Sequence, residues 1–400
     1  YKRQQMTRIC YVMPGGNFGY HPRGPGQTHW HEEQPGVVPK ILRTYFGSPT
    51  GMCMYEANLL PAKYRGQSFH TDAGPRHVRC YHAKVNGAGF EVEPENVVTS
   101  TDNWFRPSDV KVAPDGSIFV SDWYDPGVGG HGMGDTTRGR VFRLAPKGSN
   151  TISVSVNLDK PEGVLAALSS GNNAIRFMGI QKISLMNVED VRALVKVALA
   201  QKDIAEMPWI LARLNWFLPD SVALPEKLKN REEFQWQAVR KIAARHPGFE
   251  GVSPAEEKLL GELVQSGTAG TRREILLELR KNVSDSAKRN FYALAKKYDG
   301  KDLFYLKAIE VACADDGQHR SAFLADFSRE FPKWNSQVAD LVFELRPDDM
   351  VAKIPSMLAD KTLSSEQKAR LVSILAASDN PAQGNDLIKM LQASDDSSVQ

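Results

Sequence analysis

The sequence predicts a β + α multidomain protein: the C-terminal part of a β-propeller over 1–150, then an α-helical array of HEAT-like repeats over 151–400. Three observations carry this reading. Segment 104–144 has the strand–turn–strand–loop–strand pattern of one propeller blade, and segment 48–83 repeats it. Beyond 158 the grammar changes: Gly and Pro thin out, Ala, Leu, Lys and Glu dominate, and apolar residues recur at i, i+3, i+4 and i+7. The break between the two styles falls at 145–158.

The elements follow in chain order. Part of a first β unit is visible at 9–20 and 37–45. The next unit, 48–83, has a short strand, a turn, a second strand ending in Asp72, a loop, and a third strand opening near Arg76; segment 91–98 supplies an outer fourth strand. In the third unit, 107–112 alternates apolar and polar residues, Pro114-Asp115-Gly116 turns the chain, 118–121 runs apolar and ends at Asp122, and 140–144 alternates again. The intervening loop 122–139 is much longer than a hairpin needs, and long loops on a rigid β scaffold usually serve binding or catalysis. A closed propeller needs several more blades. With Tyr1 rather than Met at the start, they are expected upstream, in a longer protein from which this chain is a piece.

The helical half reads as amphipathic stretches at 173–183, 188–201, 207–218, 231–246, 254–267, 271–282, 286–298, 303–315 and 365–378. Ser253 before Pro254 and two glutamates is an N-terminal cap with Pro at the first helical position. Pairs of such helices recur about every 35–45 residues, the period of repeats that bury their faces by stacking on neighbours. Trp209, Trp216, Trp236 and Trp334 are read as core, His246 and His319 as isolated, and the array as a spacer or docking surface.

Composition narrows the classes. Net charge is +3 over 400 residues with no basic run, which argues against nucleic acid. No apolar run is long enough for a transmembrane helix. The four cysteines, Cys10, Cys53, Cys80 and Cys313, form neither CxxC nor CxxCH, so the motif for c-type haem attachment is missing from this chain. Cys53 and Cys80 lie in alternating apolar runs and read as buried strand residues; a bridge between them has no support.

The stretches QTHWHEEQPGVVPKILR (27–43), YRGQSFHTDAGPRHVRCY (64–81) and FRPSDVKVAPDGSIFVSDWYDPGVGGHGMGDTTRGRVFRLAP (105–146) resemble the propeller of large multidomain proteins of planctomycetes and verrucomicrobia, the PVC-type haem-binding proteins or membrane-bound dehydrogenases. The resemblance covers 18–146 in sequence and is architectural beyond 158. It implies a propeller, then HEAT-like helices, then a cytochrome c domain outside this chain, and a periplasmic or extracellular, cell-envelope setting. More distantly, the blade pattern is similar to the soluble quinoprotein glucose and sorbosone dehydrogenases. That similarity implies pyrroloquinoline quinone with calcium on the propeller face, a sugar or polyol substrate, and a cytochrome c electron acceptor.

Oxidising an alcohol onto a bound quinone needs a general base, cations that grip the quinone carboxylates, and a cation that polarises its carbonyl. His29 and His31, two apart on an extended loop with Glu32 and Glu33, could share a base or metal role, or could be hydrogen-bonded residues closing a blade. His131, flanked by glycines, is the third catalytic candidate. Arg76 and Arg106 open blade strands and suit a carboxylate, the alternative being Arg–Asp pairs with Asp72 or Asp109 that fix the loops. With Asp109, Tyr124 and Arg138 they form the expected cofactor-binding set. Asp122, Asp125 and Asp135, among glycine carbonyls, are the expected calcium ligands. Two functions stay open: a sugar or polyol dehydrogenase, and a non-catalytic propeller and HEAT scaffold that binds a glycan or a protein.

Overall fold

The computed structural model describes residues 7–19, 34–44, 47–127, 137–150, 155–201, 207–218, 231–313, 316–377 and 388. Small antiparallel sheets occupy the N-terminal half and helices the C-terminal half. Two compact units form. The first is drawn from Tyr1–Cys10, Lys40–Val85 and Phe90–Phe234, the second from Tyr11–Pro39, Asn86–Gly89 and Gln235–Gln400. The compositional break at 145–158 and the packing boundary at Phe234 therefore do not coincide.

In the first unit, β1 (Arg8–Cys10) pairs antiparallel with β2 (Lys40–Arg43). A four-stranded meander follows: β3 (Pro49–Tyr55), β4 (Gln67–Asp72), β5 (His77–Asn86) and β6 (Gly89–Thr99) in that spatial order. The outer fourth strand expected at 91–98 is thus present as β6. A three-stranded meander comes next, β7 (Pro107–Val112), β8 (Ile118–Asp122) and β9 (Arg140–Leu144). The turn between β7 and β8 is the one read from Pro114-Asp115-Gly116. Gly116 takes φ 83° there, where a side chain would be strained, and Asp115 Oδ1 accepts the Ser117 N–H at 2.9 Å.

The two meanders share a register. Pro49 faces Asp72 and Met52 faces His70; Pro107 faces Asp122 and Val110 faces Val120. Each ladder breaks at a bulge just after its proline. The hydroxyls repeat too: Thr50 Oγ1 lies 2.7 Å from Thr71 Oγ1, and Ser108 Oγ lies 2.9 Å from Ser121 Oγ. The first strands of the two meanders adjoin, since Thr50 Oγ1 also lies 2.8 Å from the Pro107 carbonyl it bonds, and Asp109 and Val110 lie so close to Gly51 that no Cβ fits. Tyr55, Phe69, Val78, Cys80, Val110, Ile118 and Val120, drawn from both meanders, form one buried apolar cluster. Burying side chains of this size contributes about 1.5–3 kcal/mol each. Cys53 and Cys80 both face Phe69, from opposite sides of β4. Two strand spacings put them about 9–10 Å apart, too far for a disulfide, and both thiols are free. Cys80 is buried as read; Cys53 is only half-buried.

Helices α1 (Pro161–Ser169), α2 (Asn173–Ser184), α3 (Val188–Ala200) and α4 (Met207–Trp216) belong to this same unit. Asn172 caps α2 and its Nδ2 donates to the Val112 carbonyl at 2.8 Å, while Arg176 pairs with Glu56. Two of the tryptophans read as core are not: Trp209 is 36% and Trp216 46% exposed. Seven residues apart, they share one face of α4, while Ile210, Leu211 and Leu214 on another face fill the core.

The second unit stacks α5 (Glu232–Arg245, from Gln235 on), α6 (Pro254–Ser266), α7 (Ala269–Leu279), α8 (Asp285–Ala295), α9 (Leu303–Ala312), α10 (Gly317–Leu324), α11 (Phe327–Glu330), α12 (Ser336–Leu345), α13 (Asp348–Val351), α14 (Ile354–Leu358) and α15 (Ser365–Ala376). The Ser253 cap is present as a full capping box with Glu256. The fully buried Arg273 guanidinium lies between the Tyr11 and Trp236 rings, 4.7 Å from each centroid, and is paired with Glu274 at 2.7 Å.

Candidate functional site

Two buried aspartates organise the ends of the meanders. Asp72 and Asp122 each close a second strand, opposite the proline that opens the first. Asp72 Oδ1 accepts the Ser48 N–H at 2.6 Å, and Asp122 Oδ1 accepts the Arg106 N–H at 2.8 Å. Ser48 and Arg106 are the residues before those prolines. The same clip is therefore built twice. It holds the chain where it enters a sheet, and it explains why each second strand ends in Asp.

The second clip is the stronger. Asp122 Oδ1 also takes the Tyr124 N–H at 2.9 Å, and Oδ2 takes Arg140 Nε at 2.8 Å and Nη2 at 2.6 Å. Arg140 faces Asp122 across the β8–β9 ladder and reaches Asp102 at 3.1 Å. Its guanidinium covers the Tyr124 ring at 4.3 Å; Trp104 lies 5.6 Å from Tyr124, with Arg138 over Trp104 at 5.3 Å. Hydrogen bonds and Arg140 hold Asp102 below the usual carboxylate range.

Arg76 and Arg106 both bond the segment 103–105 that leads into β7. Arg106 is only 7% exposed; Nη1 donates to the Phe105 carbonyl at 2.9 Å and Nη2 to that of Pro126 at 3.1 Å. Arg76 Nη1 donates to Asn103 Oδ1 at 2.6 Å. Burial first, and then repulsion from Arg76, push Arg106 below the ordinary guanidinium value, so the two cations sense each other. Both Nε–H groups are buried, and neither finds an acceptor among the described residues. Orphaned buried donors of this kind call for an explanation. Arg76 and Tyr124 also hold φ of 62° and 59°, a strained left-handed backbone for residues with side chains. Both lie in the loops that follow the clip aspartates.

The expected loop pairs take a different form. Asp72 meets Arg79 at 3.4 Å and Asp109 meets Lys111 at 3.2 Å, so neither serves Arg76 or Arg106. Asp109 sits on β7 with its side chain 46% exposed, and its Oδ1 accepts the Val110 N–H. The pair that fixes a loop is Asp122–Arg140; the signal for it was an Arg at the opening of the third strand. Sequence reasoning also missed Asp102, Trp104 and the buried His70, whose Nδ1 lies 3.1 Å from Tyr81 Oη.

The expected calcium set fits poorly in its described part. Asp122 is occupied by two N–H groups and a guanidinium, and Asp125 Oδ1 takes the Gly127 N–H at 2.7 Å. Among the described residues, no three His, Cys, Asp or Glu side chains gather in a way that could hold a metal ion. The described residues suit an anion better than a cation, because Arg76 and Arg106 bring two positive charges to this end of the sheets. His29, His31, His131 and Asp135 lie outside the described residues. Among the described residues, no helix is long and apolar enough to cross a membrane.

Compared with known proteins, no curated sequence and no solved structure matches the chain. Residues 27–132 match a family described as Domain of unknown function (DUF7133), a span that takes in both clip aspartates, Arg76 and Arg106.

Proposed function

We propose that the meander sheets are blades of a β-propeller, that the helices form a HEAT-like array, and that the loops around Arg76 and Arg106 bind a carboxylate-bearing ligand. The observation that carries this is the pair of neighbouring guanidiniums with buried, unpaired Nε–H groups. The shared register, the adjoining first strands and the common apolar cluster support blades.

On this reading the chain belongs to a cell-envelope oxidoreductase of the PVC-type dehydrogenase kind. It oxidises a sugar or polyol with pyrroloquinoline quinone, and a cytochrome c accepts the electrons. When bound, the quinone would supply an electrophilic carbonyl as the hydride acceptor. Arg76 and Arg106 hold its carboxylates. His29, His31 or His131 takes the hydroxyl proton. The exposed Trp123 offers a ring face to a sugar or to the planar cofactor. Arg140, not calcium, neutralises Asp122.

A non-catalytic glycan- or protein-binding scaffold is the second reading, favoured by Trp123, which is 44% exposed on the long loop. Dye reduction over a panel of sugars and polyols, with and without pyrroloquinoline quinone, separates the two. Quinone-dependent turnover on any substrate supports the dehydrogenase; no turnover while a glycan still binds supports the scaffold.

A further inference from the structure

The helical unit carries a groove of about 570 Å³ between α8, the end of α6 and the start of α11. Its lining includes Lys288, Arg289, Lys296, Lys297 and Arg329. Two of these cations are matched: Lys296 pairs with Glu330 at 2.6 Å and Arg329 with Asp326 at 3.0 Å. Lys288, Arg289 and Lys297 have no hydrogen-bond or ion-pair partner for their side chains among the described residues. Several other cations of the same unit are paired, as in Arg240–Glu274, Lys281–Glu278, Arg320–Glu310 and Arg370–Asp340. At the floor, the buried Tyr292 donates its hydroxyl to the Phe323 carbonyl at 2.7 Å.

We infer that this groove docks an acidic peptide segment of a partner protein. The spacing on α8 suits one. The unmatched Arg289 on α8 and Lys297, two residues past its end at Ala295, are eight residues apart, roughly 12 Å at the helical rise. An extended peptide spans about 13 Å in four residues, so carboxylates four apart match the separation of these two cations. Asp285, Asp326 and Glu330 on the same walls oppose a continuous phosphodiester chain but leave room for a peptide that carries separated charges. The proposal uses none of the residues assigned to the anion site around Arg76 and Arg106.

The test is fluorescence anisotropy of a fluorescein-labelled Glu-Ala-Ala-Ala-Glu peptide, whose carboxylates are four residues apart, with the 400-residue chain. The wild type binds it saturably, and more weakly as salt rises. The variant K288E/R289E/K297E binds about tenfold or more weakly with an unchanged circular dichroism spectrum. A control with the same charge change elsewhere, K147E/K196E/K361E, stays close to wild type. Equal weakening in both variants, absence of saturable binding, or tighter binding of a labelled octathymidylate than of the peptide would each overturn the inference.

Discussion

Replacing Asp122 by Ala removes the acceptor for four donors at once: the Arg106 and Tyr124 N–H groups and two nitrogens of Arg140. A buried donor left without a partner costs about 1–3 kcal/mol. Two backbone donors are stranded, whereas Arg140, 38% exposed, keeps Asp102 and loses less. The local cost is about 3 kcal/mol, below the upper range for breaking a fully buried pair. At about 1.4 kcal/mol per tenfold, amide exchange at Arg106 and Tyr124 quickens by roughly 100-fold. Asp122→Asn keeps one oxygen for both N–H groups but sets an amide against Arg140, so it falls between Ala and wild type. Hydrogen–deuterium exchange read by mass spectrometry on peptides covering 104–124 measures this directly. Because Arg140 is the counter-charge, EDTA leaves the same peptides unchanged in the wild type. Less than threefold faster exchange in Asp122→Ala, or a chelator effect as large as the mutation's, would refute the reasoning.

Two further outcomes are expected. Ser253→Ala removes the hydroxyl of the α6 capping box and lowers stability by about 1 kcal/mol, seen as a lower urea midpoint for the helical signal; an unchanged midpoint would show the cap to be idle. Hydrogen bonds from Lys63 and then His82 hold the Glu95 carboxyl at about 2, below its ordinary 4.5. A depressed folded value stabilises above the unfolded one and is lost as pH falls through the folded one. The stability gap between wild type and Glu95→Gln is therefore present above pH 4.5 and closes as pH falls toward 2; a gap that widens on acidification would contradict it.

Local signals in the sequence carried far. The Pro114-Asp115-Gly116 turn, the strands around it, the Ser253 cap and the fourth strand near 91–98 each depend on residues close together in the chain. What the local pattern does not carry is tertiary information. Helices α1 to α4 read like those that follow, yet they join the unit of the sheets, because Asn172 and Arg176 find their partners on strands and loops distant in sequence. The described residues of 11–39, which overlap the partial β unit read at 9–20 and 37–45, and Asn86–Gly89 belong to the helical unit. There Arg273 bonds the Ala88 carbonyl and Asp302 accepts the Ala88 N–H at 2.6 Å. The Asp122–Arg140 pair was hidden because it depends on strand register. Arg76 and Arg106 were legible as cations at strand entries, but their closeness to each other was not.

The central claim is that Arg76 and Arg106 together hold a carboxylate. Isothermal titration of pyrroloquinoline quinone into the wild type, Arg76→Gln and Arg106→Lys, each checked for fold by circular dichroism, tests it most directly. The account predicts saturable binding by the wild type and at least about tenfold weaker binding by each folded variant, as the loss of a charge-assisted bond implies. Equal affinity in all three, or no binding by the wild type, would contradict it.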